Sequence, residues 1–269
     1  MSSISIGTSG FSFDDWKGTV YPPHLKKEEW LNYYESELGF KALEINFTYY
    51  TLPSPRTLEG MSRKTSHDFA FVVKAFRGMT HDILPRGNTT CADKKIFEQF
   101  VIALQPLIDA GKLACVLAQF PYSFQPSDKT YAYLKRFKEL LGALPLIIEF
   151  RNRKWLTEKT VHFLKEHTLG YCAVDEPRLP QLMPFYPAAT SSIGYFLFHG
   201  RNTTWFNVPT SVRYDYLYST PQIKEFVTPI RSIASTTEKV FAFFNNCHAG
   251  SAVHNAAMLI RMIQDEEIP

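Results

Sequence analysis

A single eight-stranded parallel α/β barrel, the (β/α)8 or TIM type, is the fold class this chain predicts, and three observations predict it. Eight short segments read as strands, at 5–7, 42–46, 69–74, 113–119, 145–151, 172–175, 194–201 and 240–246. Helical patterns separate them, and the strand readings run out into polar or charged residues. In such a barrel the C-terminal strand ends build the ligand site. A chain of 269 residues matches one barrel of about 250, so 1–269 is expected to form one domain.

The elements follow in order. In a barrel strand, one side-chain parity faces the interior and the other faces the helices. The first strand offers Ser5, Gly7 and Ser9 inward, and apolar spacing predicts a helix over 25–37. In the second, Leu43, Ile45 and Phe47 form the greasy parity, leaving Ala42, Glu44, Asn46 and Thr48 inward. A helix at 57–63 leads to the third strand, where Lys74 points in, and to a loop at 78–90 that carries His81. Helix 93–109 precedes the fourth strand, which presents Gln119. Ser127-Asp128 is a start signal for helix 130–141, and Thr157-Glu158 for helix 157–167. Between those helices the fifth strand supplies Glu149 and Arg151, with Trp155 just beyond.

The sixth strand is expected to turn Asp175 inward. Pro177, Pro180, Pro184 and Pro187 then preclude a regular helix over 176–192, because proline removes backbone donors. The seventh strand places His199 and Arg201 inward, and helix 222–234 follows. In the eighth, parity leaves the choice between Asn245 and Asn246 open, and Ser251 opens helix 251–265.

Composition narrows the class. Hydrophobic residues make up 45% and charged residues 20%, as in an ordinary globular protein. The net charge of +3, from 29 basic and 26 acidic residues, excludes a polycation built to coat nucleic acid but not a local basic mouth. Four cysteines lack C-x-x-C spacing, and Cys115 and Cys172 lie in apolar strands, a pattern that suits a reducing cytoplasm. No apolar run approaches the length of about 18 that a membrane helix needs, so no membrane partner is expected.

The mouth mixes charges. Glu44 and Glu149 are inward carboxylates, which burial disfavours unless they are paired or used in chemistry. One reading makes them acid/base groups, with His199 moving protons near neutral pH. The bland alternative pairs them with Lys74 or Arg151 in a structural network. A glycosidase pair is a further alternative, although strands two and five lie about opposite each other. Histidines and acids at the mouth also raise a divalent metal. Lys74, Arg77, Arg151 and Arg201 leave little negative charge to hold one, so no cofactor is expected. The same cations favour an anion, since Arg is a planar fork for phosphate and Lys a point charge. His199-Gly200-Arg201 and Asn245-Asn246 add donors where barrels often hold phosphate. Aromatics beside these ends, among them Tyr49, Tyr50, Tyr122, Trp155, Trp205 and Phe206, either stack ligand rings or cap the barrel.

Seven blocks of residues stand in a recognisable order along the chain. The opening block is Ile6-Gly7-Thr8-Ser9-Gly10-Phe11-Ser12 with Trp16, Gly18, Tyr21 and Pro22. Glu44-Ile45-Asn46-Phe47-Thr48-Tyr49-Tyr50 with Pro53, and Phe71-Val72-Val73-Lys74-Ala75 with Thr80-His81, follow. Then come Gln119-Phe120-Pro121 with Phe124, Glu149-Phe150-Arg151-Asn152 with Trp155, His199-Gly200-Arg201, and Phe243-Phe244-Asn245-Asn246 with Gly250, Ala252, Asn255 and Ala256. Together these strings resemble the YecE-like family, a family of domains of unknown function; the resemblance covers 6–256 and implies a TIM-type barrel. It brings with it the suggested likeness to endonuclease IV-type barrels and to DNA binding. Leu197 stands where the family usually has Arg, and Phe120 and Tyr122 also depart from its pattern, which weakens the family's anion clamp here.

The expectation is therefore a cytoplasmic barrel that binds a phosphate-bearing small molecule or nucleic acid, with hydrolytic chemistry if it is an enzyme. Glu44, Glu149 and His199 are the catalytic candidates. Asn46, Lys74, His81, Gln119, Arg151, Trp155, Arg201, Asn245 and Asn246 are the ligand-binding candidates. A non-catalytic binding module with a structural ionic ring, and a Schiff-base lyase using Lys74, are the alternatives.

Overall fold

β-branched and aromatic residues, which fit a pleated and buried surface, form eight parallel strands in the computed structural model, which describes residues 2–83 and 92–265. They are β1 Ser3–Ser9, β2 Ala42–Ile45, β3 Ala70–Lys74, β4 Leu113–Gln119, β5 Leu146–Glu149, β6 Gly170–Asp175, β7 Ile193–Phe198 and β8 Lys239–Phe244. Each pairs with its neighbour in sequence, and β8 closes on β1 from Ser3–Lys239 to Thr8–Phe244. The predicted (β/α)8 barrel is the observed fold.

Helices α1 Trp30–Ser36, α2 Phe47–Tyr50, α3 Pro55–Arg63, α4 Lys94–Asp109, α5 Asp128–Leu141, α6 Glu158–Glu166, α7 Thr210–Arg213, α8 Thr220–Ala234 and α9 Ser251–Asp265 connect the strands. The expected start signals operate: Ser127 and Thr157 accept backbone bonds from Thr130 and Thr160. The first helix is shorter than predicted, because Glu29 caps the Lys26 amide at 3.0 Å and delays the α-turns. No helix joins β6 to β7, as the prolines over 176–192 require.

The core has two layers. Inside the barrel, Tyr195 and Phe243 pack with ring centres 5.7 Å apart. Outside it, Phe198 stacks on Phe226 of α8 at 4.2 Å. Strands β5, β7 and β8 end earlier than predicted, so Arg151, His199, Arg201 and Asn245 lie on the loops just beyond. Two backbone bonds still extend the ladder there, from His199 to Asp175 and from Asn245 to Phe198, each at 2.8 Å.

Strand β6 corrects the predicted parity. Asp175 faces the helices, where Tyr218 donates to it at 2.7 Å, and Glu176 faces the interior instead. All of Gly170–Asp175 is buried, so hydrophobicity marks neither side of this strand. Bulky Tyr171, which packs against Tyr186, shares the outward parity of Asp175.

Candidate functional site

A cavity of about 450 Å³ opens at the C-terminal ends of the strands. Its floor presents Asn46, Lys74, Gln119, Arg151 and Asn245, while Tyr49, His81, Trp205, Arg213 and Tyr214 stand around it. Tyr50, Arg77, Tyr122 and Phe206 complete its rim. Strand ends supply the floor because each inward parity runs out there. The walls come from the loops after β2, β3 and β7.

Beneath the floor lies a polar layer with no exposed surface: Glu44, Glu149 and His199 are each 0% exposed. Ser9 and Tyr195 donate their hydroxyls to the two oxygens of Glu44, Tyr195 at 2.5 Å. Asn46 in turn donates to the Ser9 oxygen at 2.7 Å. Burial pushes the Glu44 carboxyl above its ordinary range, with Lys74 and these hydroxyls pulling it back.

Arg151 lies between two buried acids. Its Nη1 donates to Glu176 Oε2 at 2.9 Å. Its Nε lies 2.7 Å from Glu149 Oε1, but that N–H is out of line, so the contact is ionic rather than a hydrogen bond. Burial would raise the Glu149 carboxyl, but the Arg151 guanidinium and the His199 N–H outweigh it and hold the group at about 2. Burial pushes Glu176 up to about 7 against the pull of Arg151, with Glu149 adding to the rise.

Histidine 199 has a defined tautomer. Its Nε2 faces the ionised Glu149 oxygen at 3.2 Å, an acceptor only, so Nε2 carries the proton. Burial and nearby Arg151 lower this imidazole to about 4, so it is neutral and Nδ1 accepts from Asn245 Nδ2 at 2.9 Å. Burial and the charges of Lys74 and Arg151 also bring His81 to about 4. Its ring meets Tyr49 edge-on at 4.9 Å.

The structure thus gathers Asn46, Lys74, His81, Gln119, Arg151 and Asn245 at one cavity. Three predicted ligand-binding residues are elsewhere. Trp155 is 1% exposed, stacked on Phe150 at 4.2 Å, and donates its indole N–H to Phe124. Asn246 is the outward member of the ambiguous pair, bonded to Tyr216 and to Asn255 of α9. Arg201 turns away after Gly200, whose φ of +94° reverses the chain. It forks onto Asp175 and reaches Glu225 at 2.9 Å.

Sequence reasoning missed Glu176, Tyr195, Arg213 and Tyr214. The outward bulk of Tyr171 was the available signal for Glu176, but Arg213 ends the four-residue helix α7 and Tyr214 follows it, a stretch too short to show a periodicity. Among the described residues no group of three His, Cys, Asp or Glu is placed to hold a metal ion. None of the helices among them is long and apolar enough to cross a membrane.

The comparisons with known proteins agree on kinship. The model of a family described as "Protein of unknown function DUF72" matches residues 5–268. The UPF0759 protein YunF of Bacillus subtilis is 30% identical over 276 residues, covering 98% of this chain and 95% of that protein. The crystal structure of a DUF72 family protein from Thermotoga maritima is 42% identical, covers 97% of this chain and 99% of that one, and superposes with a TM-score of 0.90. A DUF72 family protein from Enterococcus faecalis is 27% identical over 97% of this chain and 95% of that one, with a TM-score of 0.84.

Proposed function

This chain belongs to the DUF72 family, the YecE-like family its motifs resemble, and from that premise we propose that it binds a phosphate-bearing ligand in the mouth of its barrel. One observation carries this reading: Lys74, Arg77, Arg151 and Arg213 line the cavity, and among the described residues no carboxylate does. The acids that balance Arg151 lie beneath it. Arg77 is held by Asp82 at 2.8 Å, whereas Lys74 and Arg213 have no carboxylate within ion-pair reach among the described residues. Lys74 instead sits over the Tyr49 ring at 5.6 Å, and Arg213 over Trp205 at 5.7 Å. A concave site with surplus cations attracts an anion, and guanidinium and ammonium groups suit phosphate oxygens.

In this reading Glu44, Glu149 and His199 position the floor rather than touch the ligand, since none has exposed surface. The test is calorimetric titration with pyrophosphate. Lys74→Ala and Arg213→Ala should each weaken binding about 10-fold or more, the scale of a charged hydrogen bond. Arg201→Ala should leave affinity unchanged. Affinity that survives both cavity substitutions would overturn the reading.

The rim favours a second reading. Tyr50, Tyr122 and Phe206 are each more than 40% exposed and border the same cavity. Such flat faces beside cations suit single-stranded nucleic acid. That reading requires an oligonucleotide affinity that falls steeply with salt and drops on Tyr50→Ala.

A further inference from the structure

Three side-chain amides on the cavity floor share one orientation, and their partners enforce it. Gln119 gives its Nε2 to the Phe120 carbonyl at 2.9 Å, and a carbonyl can only accept. Asn245 gives its Nδ2 to Nδ1 of the neutral His199, whose other nitrogen is committed to Glu149. Asn46 gives its Nδ2 to Ser9, whose own proton goes to Glu44. Each amide therefore gives one of its two N–H groups to the protein, which fixes its orientation and leaves its oxygen and a second N–H. Asn46 Oδ1 is buried without a partner, and neither Gln119 Oε1 nor Asn245 Oδ1 has one among the described residues.

From this we infer that the ligand is a polyhydroxylated phosphate ester, a sugar or polyol phosphate: its phosphate meets Lys74 and Arg213, and its hydroxyls donate to the amide oxygens of Gln119 and Asn245, the Asn46 oxygen being buried beneath them. This rests on the anion reading above and deepens it. An anion alone cannot satisfy these oxygens, because phosphate at neutral pH is chiefly an acceptor, as they are. A floor that sets cations beside two accessible acceptors instead suits a molecule carrying negative charge and O–H donors within a few ångströms. The cavity volume of about 450 Å³ falls in the range that holds a small molecule, roughly 300–1,000 Å³. Acceptors left unpaired by the wrong ligand are penalised, so discrimination should be strong.

The experiment is calorimetric titration of the full-length protein with ribose 5-phosphate, butyl phosphate and ribose. Ribose 5-phosphate is expected to bind about 30-fold or more tighter than butyl phosphate, the scale of a few hydrogen bonds. In a Gln119→Met, Asn245→Leu variant that ratio should fall below about 3-fold. Equal binding of the two phosphates to the native protein would overturn the inference while leaving the anion reading in place. Binding of ribose as tight as its phosphate, or of none of the three, would overturn the anion reading and this inference with it. The native-protein ratio decides the matter even if the variant does not fold.

Discussion

Arg151 shows how one residue organises a site through its neighbours. It touches Glu149 and Glu176, and Glu149 in turn anchors His199, which orients Asn245. Replacing Glu149 by Ala would leave a buried guanidinium half-compensated and the His199 N–H without an acceptor. Breaking a buried pair in this way destabilises by roughly 3–5 kcal/mol, and urea unfolding of Glu149→Ala should show a loss of that size. A loss below about 1 kcal/mol would mean that solvent reaches the layer. At this scale the chemical identity of Lys74 or Glu149 was legible in the sequence, but the company each keeps was not. Trp155 and Asn246 illustrate the limit, since an indole or an amide can serve a ligand or the protein's own backbone. Only the packing of Trp155 on Phe150 and of Asn246 on Asn255 decides.

Among the elements, β6 and the turn after β7 each depart from the expected parity. A strand buried on both faces loses the alternation that marks its inward side, so Asp175 and Glu176 exchanged roles. The turn at Gly200 then carries Arg201 out to Asp175, so strand parity stops applying one residue past His199. The turn needs glycine on two counts: its φ is +94°, and an added Cβ would lie 2.6 Å from Tyr216 Cβ. Gly200→Ala is expected to lower stability by about 1–3 kcal/mol, measured by denaturant unfolding, with Arg201 displaced from Asp175. A neutral result would show that the turn has a second conformation. Helix starts were more legible than strand ends, because caps such as Ser127 and Thr157 act on residues three positions away.

For the molecule as a whole, the buried titratable groups set how stability varies with pH. Folded His199 titrates at about 4 rather than 6.5, so below 6.5 the unfolded chain binds a proton that the folded one refuses. Stability therefore falls from 6.5 toward 4, by about 1.4 kcal/mol per pH unit from this group. His81 has the same sign. Glu176 opposes them: titrating at about 7 rather than 4.5, its folded form keeps a proton that the unfolded chain releases, so acidification from 7 to 4.5 favours folding. Glu149, held at about 2, adds stability that is lost as pH falls below 4.5. Stability should decline between 6.5 and 4.5, most steeply from 4.5 to 4, and then more gently toward 2. Glu176→Gln should steepen the decline between 7 and 4.5, and an unchanged slope in that variant would refute this assignment.

The sequence by itself determined the barrel, the irregular link over 176–192 and the end of the barrel that carries the polar groups. These follow from periodicity, prolines and caps, which act over a few residues. Tertiary structure alone decided which polar groups reach the cavity. Glu44 and Glu149 went below its floor, Arg201, Asn246 and Trp155 went outside it, and Arg213 and Tyr214 joined its wall. Those outcomes depend on barrel closure and on contacts between residues distant in the chain, such as Tyr195 with Glu44 and His199 with Glu149. Local pattern carries no record of such contacts.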